Sequence, residues 1–594
     1  MPSLSKTPPS SADSTIPLRQ HLDKRLGSLK PDRMSYWTHW RELSEYILPR
    51  RGRFLLSPNQ GNRGDPRNQK IIDSTGTLAA RTLASGMMAG ITSPARPWFR
   101  LSVADPDAAQ STEVRLWLDE VSKRMLRVFA KSNFYNALAV IYEELGVFGT
   151  AAMIILDDHE DVIRCHPLTV GEYYLANSER QAVNTLYREF PLTVAQVIGQ
   201  FGEQGCSATV RSLYRSGQLD TEVMVGHAVE PNDEQVAEDP ATRGMPFRSV
   251  YWEMGSGRSL ILGQRGFREF PACCPRWHLM GNEVYGRSPG MDALGDVKAL
   301  QIEQKRKAQA IEKMVNPPMV ADVALKNQPA TLLPGGVTYL PGNTAGVGFK
   351  PVYEVTPPLA GLVQDIQEVQ KRIQQAFYAD LWLMISELDS VRTATEINER
   401  KEEKLLMLGP VLERLNAELL DPAIKRTFAV MNRAGLLPPA PRRLQRQALQ
   451  IDYISMLAQA QKAVATTGIE RLVSFIGNLA AAHPEVADKV DFDVLVDEYA
   501  DLIGVSPKAI VPQAKVDKIR QAKAQQTAAL QAHQQMLQTG TAMAKGARDL
   551  SQAKVGGRSL LETAINRLAA PLGQPAPAIP APAPMPAPVQ PETR

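Results

Sequence analysis

The chain has 594 residues, of which 44% are hydrophobic and 22% charged, with a formal net charge of +4. That length accommodates three or four structural units, while so small an excess of positive charge excludes a protein coated in nucleic acid. The absence of any run of 18 apolar residues excludes a membrane-spanning helix, and four cysteines with no C-x-x-C spacing exclude a disulfide framework.

Residues 1–30 are Ser/Pro-rich and predict a flexible arm without the apolar core of a signal peptide. Thirteen Lys/Arg against six Asp/Glu lie within residues 1–70, so the positive excess sits near the N-terminus. A helix is expected from Ser35 to Leu48, with Trp37, Trp40, Ser44 and Ile47 on one side and Pro49 as its stop. Ile71 to Ala89 reads as a helix crowded with Gly, Ala, Ser and Thr, small residues that let another helix approach closely. Asp73 and Arg81 interrupt its apolar character, and Pro94 and Pro97 turn the chain towards Trp98 and Phe99. Helices follow at Glu113–Lys131, with a stripe at Leu118, Val121, Met125 and Phe129, and at Asn136–Thr150.

The period then changes to two. AAMIIL, the turn DDHED and VIRCHPL predict a hairpin, with further strands in EYYLA, VNTLYREF, EVMVGHAV, SVYWEM and SLILG. Thr193 caps a helix with Gln196 answering at the third position. The mixture predicts an α+β unit up to about residue 290.

After Pro289 the pattern is mainly helical. Met291–Val315 is apolar at Leu294, Val297 and Leu300, then charged all round until Asn316-Pro317-Pro318 stops it. Residues 317–357 form a Gly/Pro-rich module, and Leu359–Tyr378 carries a stripe at Leu362, Ile366, Val369, Ile373 and Phe377. A short segment, DLWLMISELDSV, precedes a long helix opened by a Thr193-like box at Thr393 and Glu396, with a bend at Gly409-Pro410. Helical segments occupy roughly 450–505. The Ala/Gln/Lys-rich helix at 508–546 needs packing partners, and a Pro/Ala-rich spacer runs from Ala569.

Catalytic chemistry finds little support. A phosphate-binding loop needs a Gly-Lys pair, which the sequence lacks. Gly286-Arg287-Ser288-Pro289-Gly290 fits G-x-S-x-G, but Pro289 has no N–H to offer an oxyanion, so a turn leading into a helix is the preferred reading. The run Asp157–Asp161 reads as a solvated hairpin turn, and Cys273 and Cys274 as buried thiols, since adjacent cysteines with His278 do not wrap a tetrahedral zinc. No catalytic residue, cofactor or metal ligand is assigned.

The segment IDSTGTLAARTLASGMMAGITSPARPWFRL resembles the head-to-tail connector, or portal, proteins of short-tailed (podovirus-type) bacteriophages. LYREFPLTVAQVIGQFG, YGRSPGMDALGDVKAL, NPPMVAD with LPGGVTYL, TATEINERKEEKLLMLGPVLERL and IDYISMLAQAQ follow in the family's order and carry the resemblance across roughly residues 35–510. It implies a predominantly helical α+β portal fold with wing, stem, clip and crown regions, assembled as a closed ring, a dodecamer, around a DNA tunnel.

Under that resemblance, residues 1–30 are the arm, 31–290 the wing, 291–316 and 358–379 the stem helices and 317–357 the clip. Residues 380–392 are the tunnel loop, 393–435 the long bent helix, 436–506 the crown, 507–550 a C-terminal helix that could form a barrel, and 551–594 the tail. Candidate tunnel-loop residues are Trp382, Leu383, Met384 and Ser386, with ordinary helix packing as the alternative. Candidate DNA-facing stem residues are Lys298, Lys305, Arg306 and Lys313, with a solvated helix face, or pairing to Glu303 and Glu312 of neighbouring copies, as the alternative. Candidate clip residues are Asn316, Pro317, Gly335, Gly336 and Tyr339.

The implied partners are further copies of the chain, double-stranded viral DNA, the terminase large subunit, capsid and scaffolding proteins, and tail adaptors, with no membrane. The implied location is the portal vertex of the virion, after assembly in the host bacterial cytoplasm. Alternatives are a capsid or internal virion protein without a channel, and a serine hydrolase using Ser288.

Overall fold

In a computed structural model the described residues run from 18 to 559, apart from 53–67, 106–110, 233–241, 243, 256–260, 322–325, 327–349, 352–357, 387–407, 445–448, 455, 481–482, 504–510, 512, 553 and 556–557. They belong to two units, Met1–Ala509 and Ile510–Arg594.

Helix α1 (Leu18–Tyr46) starts inside the stretch expected to be a flexible arm. Leu22, Leu26 and Leu29 recur at helical spacing and pack with Tyr174, Tyr187, Ala228, Val250 and Trp252. Each buried leucine contributes about 2 kcal/mol, enough to order residues 18–30 despite their polar composition. Arg33 fastens the helix further on: its guanidinium donates to Gly171 O (2.8 Å) and to the Tyr174 hydroxyl (2.7 Å), and stacks on the Tyr174 ring.

Helix α2 (Thr75–Gly90) is the small-residue helix. Strand β1 (Phe99–Val103) and helices α3 (Thr112–Lys131) and α4 (Phe134–Phe148) follow. Gly149 ends α4 with φ +78°, a left-handed turn that glycine adopts without penalty. The expected hairpin is present as β2 (Ala152–Asp158) and β3 (Val162–Leu168).

Next come β4 (Tyr173–Asn177), β5 (Val183–Thr193), α5 (Val194–Phe201), α6 (Ala208–Arg215), β6 (Glu222–Pro231), β7 (Phe247–Glu253) and β8 (Gly263–Phe267). The β-strands of this stretch form an antiparallel sheet in the order β4-β5-β6-β7-β8. The capping box at Thr193 and Gln196 is complete in both directions. The last strand begins at Gly263, the final residue of SLILG, and runs on to Phe267. β9 (Ala272–Cys273) pairs with β2.

Helix α7 (Pro289–Val315) leads to the short ladder of β10 (Met319–Val320) with β11 (Lys350–Pro351), and α8 (Leu359–Ala376) returns alongside α7. After α9 (Ala379–Ser386), helix α10 (Gly409–Leu415) runs through a π-helical turn at Asn416–Leu420 into α11 (Asp421–Arg433). Pro410 opens α10; the irregularity lies at 416–420, because Pro422 has no N–H for the carbonyl of Glu418 and the ladder slips register. The capping box at Thr393 and Glu396 falls outside the described residues.

Strand β12 (Leu449–Tyr453) corrects the helical expectation for residues from 450: it pairs antiparallel with β1 across the whole register. Helices α12 (Met456–Ala480) and α13 (Phe492–Ile503) complete the first unit, and α14 (Gln513–Gln552) is the long helix of the second. The Pro/Ala-rich tail lies outside the described residues. No helix of the described residues is long and apolar enough to cross a membrane.

One acid in the core stands out. Glu144 on α4 is fully buried, accepts from Val170 N (3.2 Å) and lies 3.6 Å from Arg51 Nε, while its Oε1 has no hydrogen-bond partner among the described residues. Burial outweighs the nearby guanidinium and pushes its carboxyl up to about 8. Between its ordinary 4.5 and about 8 the folded chain holds a proton that the unfolded chain has released, so stability falls as pH rises through that window. Replacing Glu144→Gln is expected to flatten this fall and to raise the apparent Tm at pH 8 relative to wild type. Thermal unfolding scans from pH 5 to 8.5 check it; parallel slopes for the two proteins would refute the assignment.

Candidate functional site

The antiparallel pair α7 and α8 is the candidate site, and its geometry begins at Ser288. The hydroxyl donates to Val147 O (2.6 Å) and accepts from Met291 N (3.0 Å), capping α7 while buried. A Cβ at Gly290 would lie 2.7 Å from Val147 O, so glycine is needed for α7 to start this close to the end of α4. Gly286 N donates to Thr150 Oγ1 (2.7 Å). The G-x-S-x-G spacing is thus the docking of one helix start on another helix end. The Ser288 hydroxyl is consumed by that cap and unavailable as a nucleophile, which removes the hydrolase alternative.

Further along, Asp73 gathers both helices of the pair. Its Oδ2 accepts from Gln304 Nε2 on α7 (2.8 Å) and from Gln370 Nε2 on α8 (2.9 Å). Its Oδ1 accepts from the backbone and hydroxyl of Thr75 at the start of α2 (2.8 and 2.5 Å). Gln301 completes the clasp, accepting from Ile72 N and Asp73 N and donating to Asp73 O. Partial burial opposes ionisation of Asp73, but the Thr75, Gln370 and Gln304 donors prevail and hold its carboxyl below the usual range.

Sequence reasoning passed over this clasp, although a signal existed. Gln301 and Gln304 continue the spacing of Leu294 and Val297, so the buried stripe of α7 runs on in polar form. A polar residue on a core stripe implies a buried partner.

The expected basic residues divide. Lys298 pairs with Glu42 of α1 at 2.8 Å and lies over the Tyr46 ring. Lys305, Arg306 and Lys313 are exposed. The same stretch exposes Ile302, Ile311, Met314 and Val315, followed by Met319 and Val320, an apolar surface that a single chain leaves open. Arg372 of α8 pairs with Asp296 of α7 at 3.1 Å. Asn316 caps the end of α7 and is exposed, and Pro317 is half-buried. Gly335, Gly336 and Tyr339 lie outside the described residues.

Among the expected tunnel-loop residues, Trp382 is 3% exposed and packs into α2 at Gly86, so in this structure it is a core residue of α9. Leu383, the next residue, is 54% exposed. Met384 and Ser386 lie within α9. Residues 387–392 of the expected loop fall outside the described residues.

The other motifs behave as bland structure. Asp158 Oδ1 accepts from Glu160 N and Asp161 N within the β2–β3 turn, while Asp157 pairs with Arg426 (2.8 Å). Cys165, Cys206, Cys273 and Cys274 are free and buried, and burial raises each thiol above its ordinary value. His278 is exposed, apart from those thiols. Among the described residues no group of three His, Cys, Asp or Glu side chains is placed to hold a metal ion.

The family model described as "Bacteriophage head to tail connecting protein" matches residues 19–511. The portal protein of Salmonella phage epsilon15 is 47% identical over 555 residues, covering 93% of this chain and 99% of that protein. The probable portal protein of Bordetella phage BPP-1 is 48% identical over 514 residues, covering 86% and 92% respectively. A solved neck of an empty gene transfer agent particle overlaps 72% of this chain and 89% of its own at 12% identity, with a TM-score of 0.32.

The clasp has a measurable consequence. Asp73→Ala leaves the half-buried amides of Gln304 and Gln370 without their acceptor and is expected to cost about 1–2 kcal/mol. Denaturant unfolding gives the magnitude. Hydrogen exchange is expected to accelerate in α7 and α8 while the β4–β8 sheet keeps its protection.

Proposed function

Because the chain belongs to the family of bacteriophage head-to-tail connecting proteins, we propose that it works in the virion as a portal. Its copies form the channel at one capsid vertex through which the viral genome is packaged and later ejected, and they carry the tail. The observation that carries this reading is near-half identity to phage portal proteins over almost the whole chain, together with the family match across residues 19–511.

In this reading the copies join head-to-tail through heterologous contacts that close into a ring, a dodecamer. The exposed apolar residues at the lower end of α7 support it, since neighbouring copies would cover them. Helices α7 and α8 are the stem, residues 317–357 the clip, 380–392 the tunnel loop, 409–433 part of the long bent helix and 436–506 the crown. Residues 31–290 are the wing, to which residues 18–30 are added. Helix α14 packs against its own copies, as a barrel.

Lys305, Arg306 and Lys313 face the DNA as stacked rings of positive charge, interleaved with Glu303 and Glu312 of the same helix. A conduit needs that balance. Every phosphate gripped adds to the electrostatic hold, and a strongly basic wall would slow the passage of the duplex. The energy for packaging comes from a separate terminase, whose large subunit docks on residues 317–357. Capsid and scaffolding proteins surround the wing, tail adaptors later replace the terminase, and assembly takes place in the host bacterial cytoplasm.

Electron microscopy of the purified protein tests the reading: end-on views should show a ring with a central channel of about 20 Å or more, wide enough for a groove-bearing duplex. Monomers or solid particles across a range of salt concentrations would overturn it. Deleting residues 322–349 is expected to leave ring formation intact and to abolish binding of the terminase large subunit. Retained binding would defeat the docking assignment.

A further inference from the structure

The junction between α8 and α9 carries three features that ordinary packing does not explain together. Tyr378, between the two helices, has φ +55°, a left-handed backbone that a bulky residue rarely adopts. Trp382, four residues on, is buried, and its indole N–H has no acceptor among the described residues. Its side chain also sits in a notch made by the missing side chain of Gly86 in α2. A Cβ at Gly86 would come within 2.6 Å of Trp382 Cβ, Cγ and Cδ2. A rotamer change would move Cγ and Cδ2 but not Cβ, which the backbone fixes, so the clash at Cβ could not be cleared that way.

The sequence gives no local reason for a break at Tyr378. From Leu362 to Ser386 there is neither glycine nor proline, and the residues around the junction (QQAFYADLWLMIS) are compatible with an uninterrupted helix. The break is therefore imposed by docking. Burial of Ala379, Leu381 and Trp382 holds α9 against its neighbours, opposed by a left-handed tyrosine and an unsatisfied indole. Opposed terms of that kind make an element with two accessible arrangements.

We propose that α9 is a latch. It is docked when Trp382 fills the Gly86 notch. It is released when Tyr378 returns to a right-handed conformation and α8 and α9 run on as one helix. A continuous helix over residues 359–386 would be about 42 Å long, with its last 12 Å or so swung away from α2. Release exposes Trp382 beside the already exposed Leu383, changing the apolar surface that this segment presents. That this surface faces DNA rests on the portal reading; the latch itself is a property of a single chain.

Hydroxyl-radical footprinting of the full-length assembled protein tests the proposal, with oxidation of Trp382 as the readout and the fully buried Trp98 and Trp252 as internal standards. Gly86→Ala closes the notch while favouring the helix that carries it. Oxidation of Trp382 is expected to rise at least fivefold, with both standards unchanged; no rise in Trp382 overturns the latch. Should the standards rise as well, Tyr378→Val decides, because a β-branched residue resists the left-handed conformation without touching the notch. A selective rise at Trp382 in that variant supports the proposal, and its absence refutes it. Electron microscopy of the same samples keeps the two questions apart: absent rings defeat the portal reading and leave the footprint of the latch standing.

Discussion

The close approach of other elements to helix α2 is the constraint on which the first unit depends. Gly76 admits Val297 of α7, Gly86 admits Trp382 of α9, and Asp73, just before the helix, holds α7 and α8 through their glutamines. A larger residue at either glycine would push away an element that carries part of the proposed channel. Small side chains contribute little burial of their own, so the stability of α2 derives from what it allows its neighbours to bury. The composition of IDSTGTLAARTLASGMMAG follows from that role rather than from helix propensity, which glycine lowers.

Ionic anchors take over where α2 does not reach. Arg276, 2% exposed, forms a bidentate pair with Glu418 and also donates to Asn177 Oδ1 and to the carbonyls of Gln181 and Val284. Glu418 sits in the π-helical turn, so the register slip forced by Pro422 presents a carboxylate to the loops around the β4–β8 sheet. A buried pair of this kind adds little net stability, but loss of one partner costs roughly 3–5 kcal/mol, so the pair penalises alternative placements of the helix. Arg426 of α11, about two turns beyond Glu418, repeats the device with Asp157 and Glu269. The long helical run of 409–433 is therefore tied to the α+β portion by charge at two levels.

Legibility in the sequence tracked how local the cause was. The hairpin of β2 and β3, the capping box at Thr193 and the stripes of α3, α7 and α8 were readable because period and cap chemistry act within a few residues. Residues 18–30 were misread because the leucine stripe is only three residues long, and its partner sheet is assembled from residues 173–267. Strand β12 was missed for a related reason: Leu449, Ile451 and Tyr453 alternate, but only pairing with β1, some 350 residues earlier, makes them a strand. The site was legible as a helix pair and not as a clasp. Asp73 looked like an interruption of an apolar helix, when it lies just before α2 and supplies an acceptor to two other helices.

The placement of charge along α7 then follows a single logic. In its first half two of its charges are paired, Lys298 with Glu42 and Asp296 with Arg372. Beyond the Asp73 clasp the helix is less covered by the described residues, and Lys305, Arg306 and Lys313 stand exposed beside Ile302, Ile311 and Met314. A helix that is apolar and charged in alternation on its open side is poorly suited to water alone, since each exposed apolar side chain forgoes about 2 kcal/mol of burial. Under the portal reading proposed above, such a helix would suit a position between copies, with its apolar residues against the neighbouring subunit and its charges towards the channel. The clasp at Asp73 marks the boundary: before it the charges of α7 have partners within the chain, and beyond it the portal reading proposed above would complete the surface by assembly.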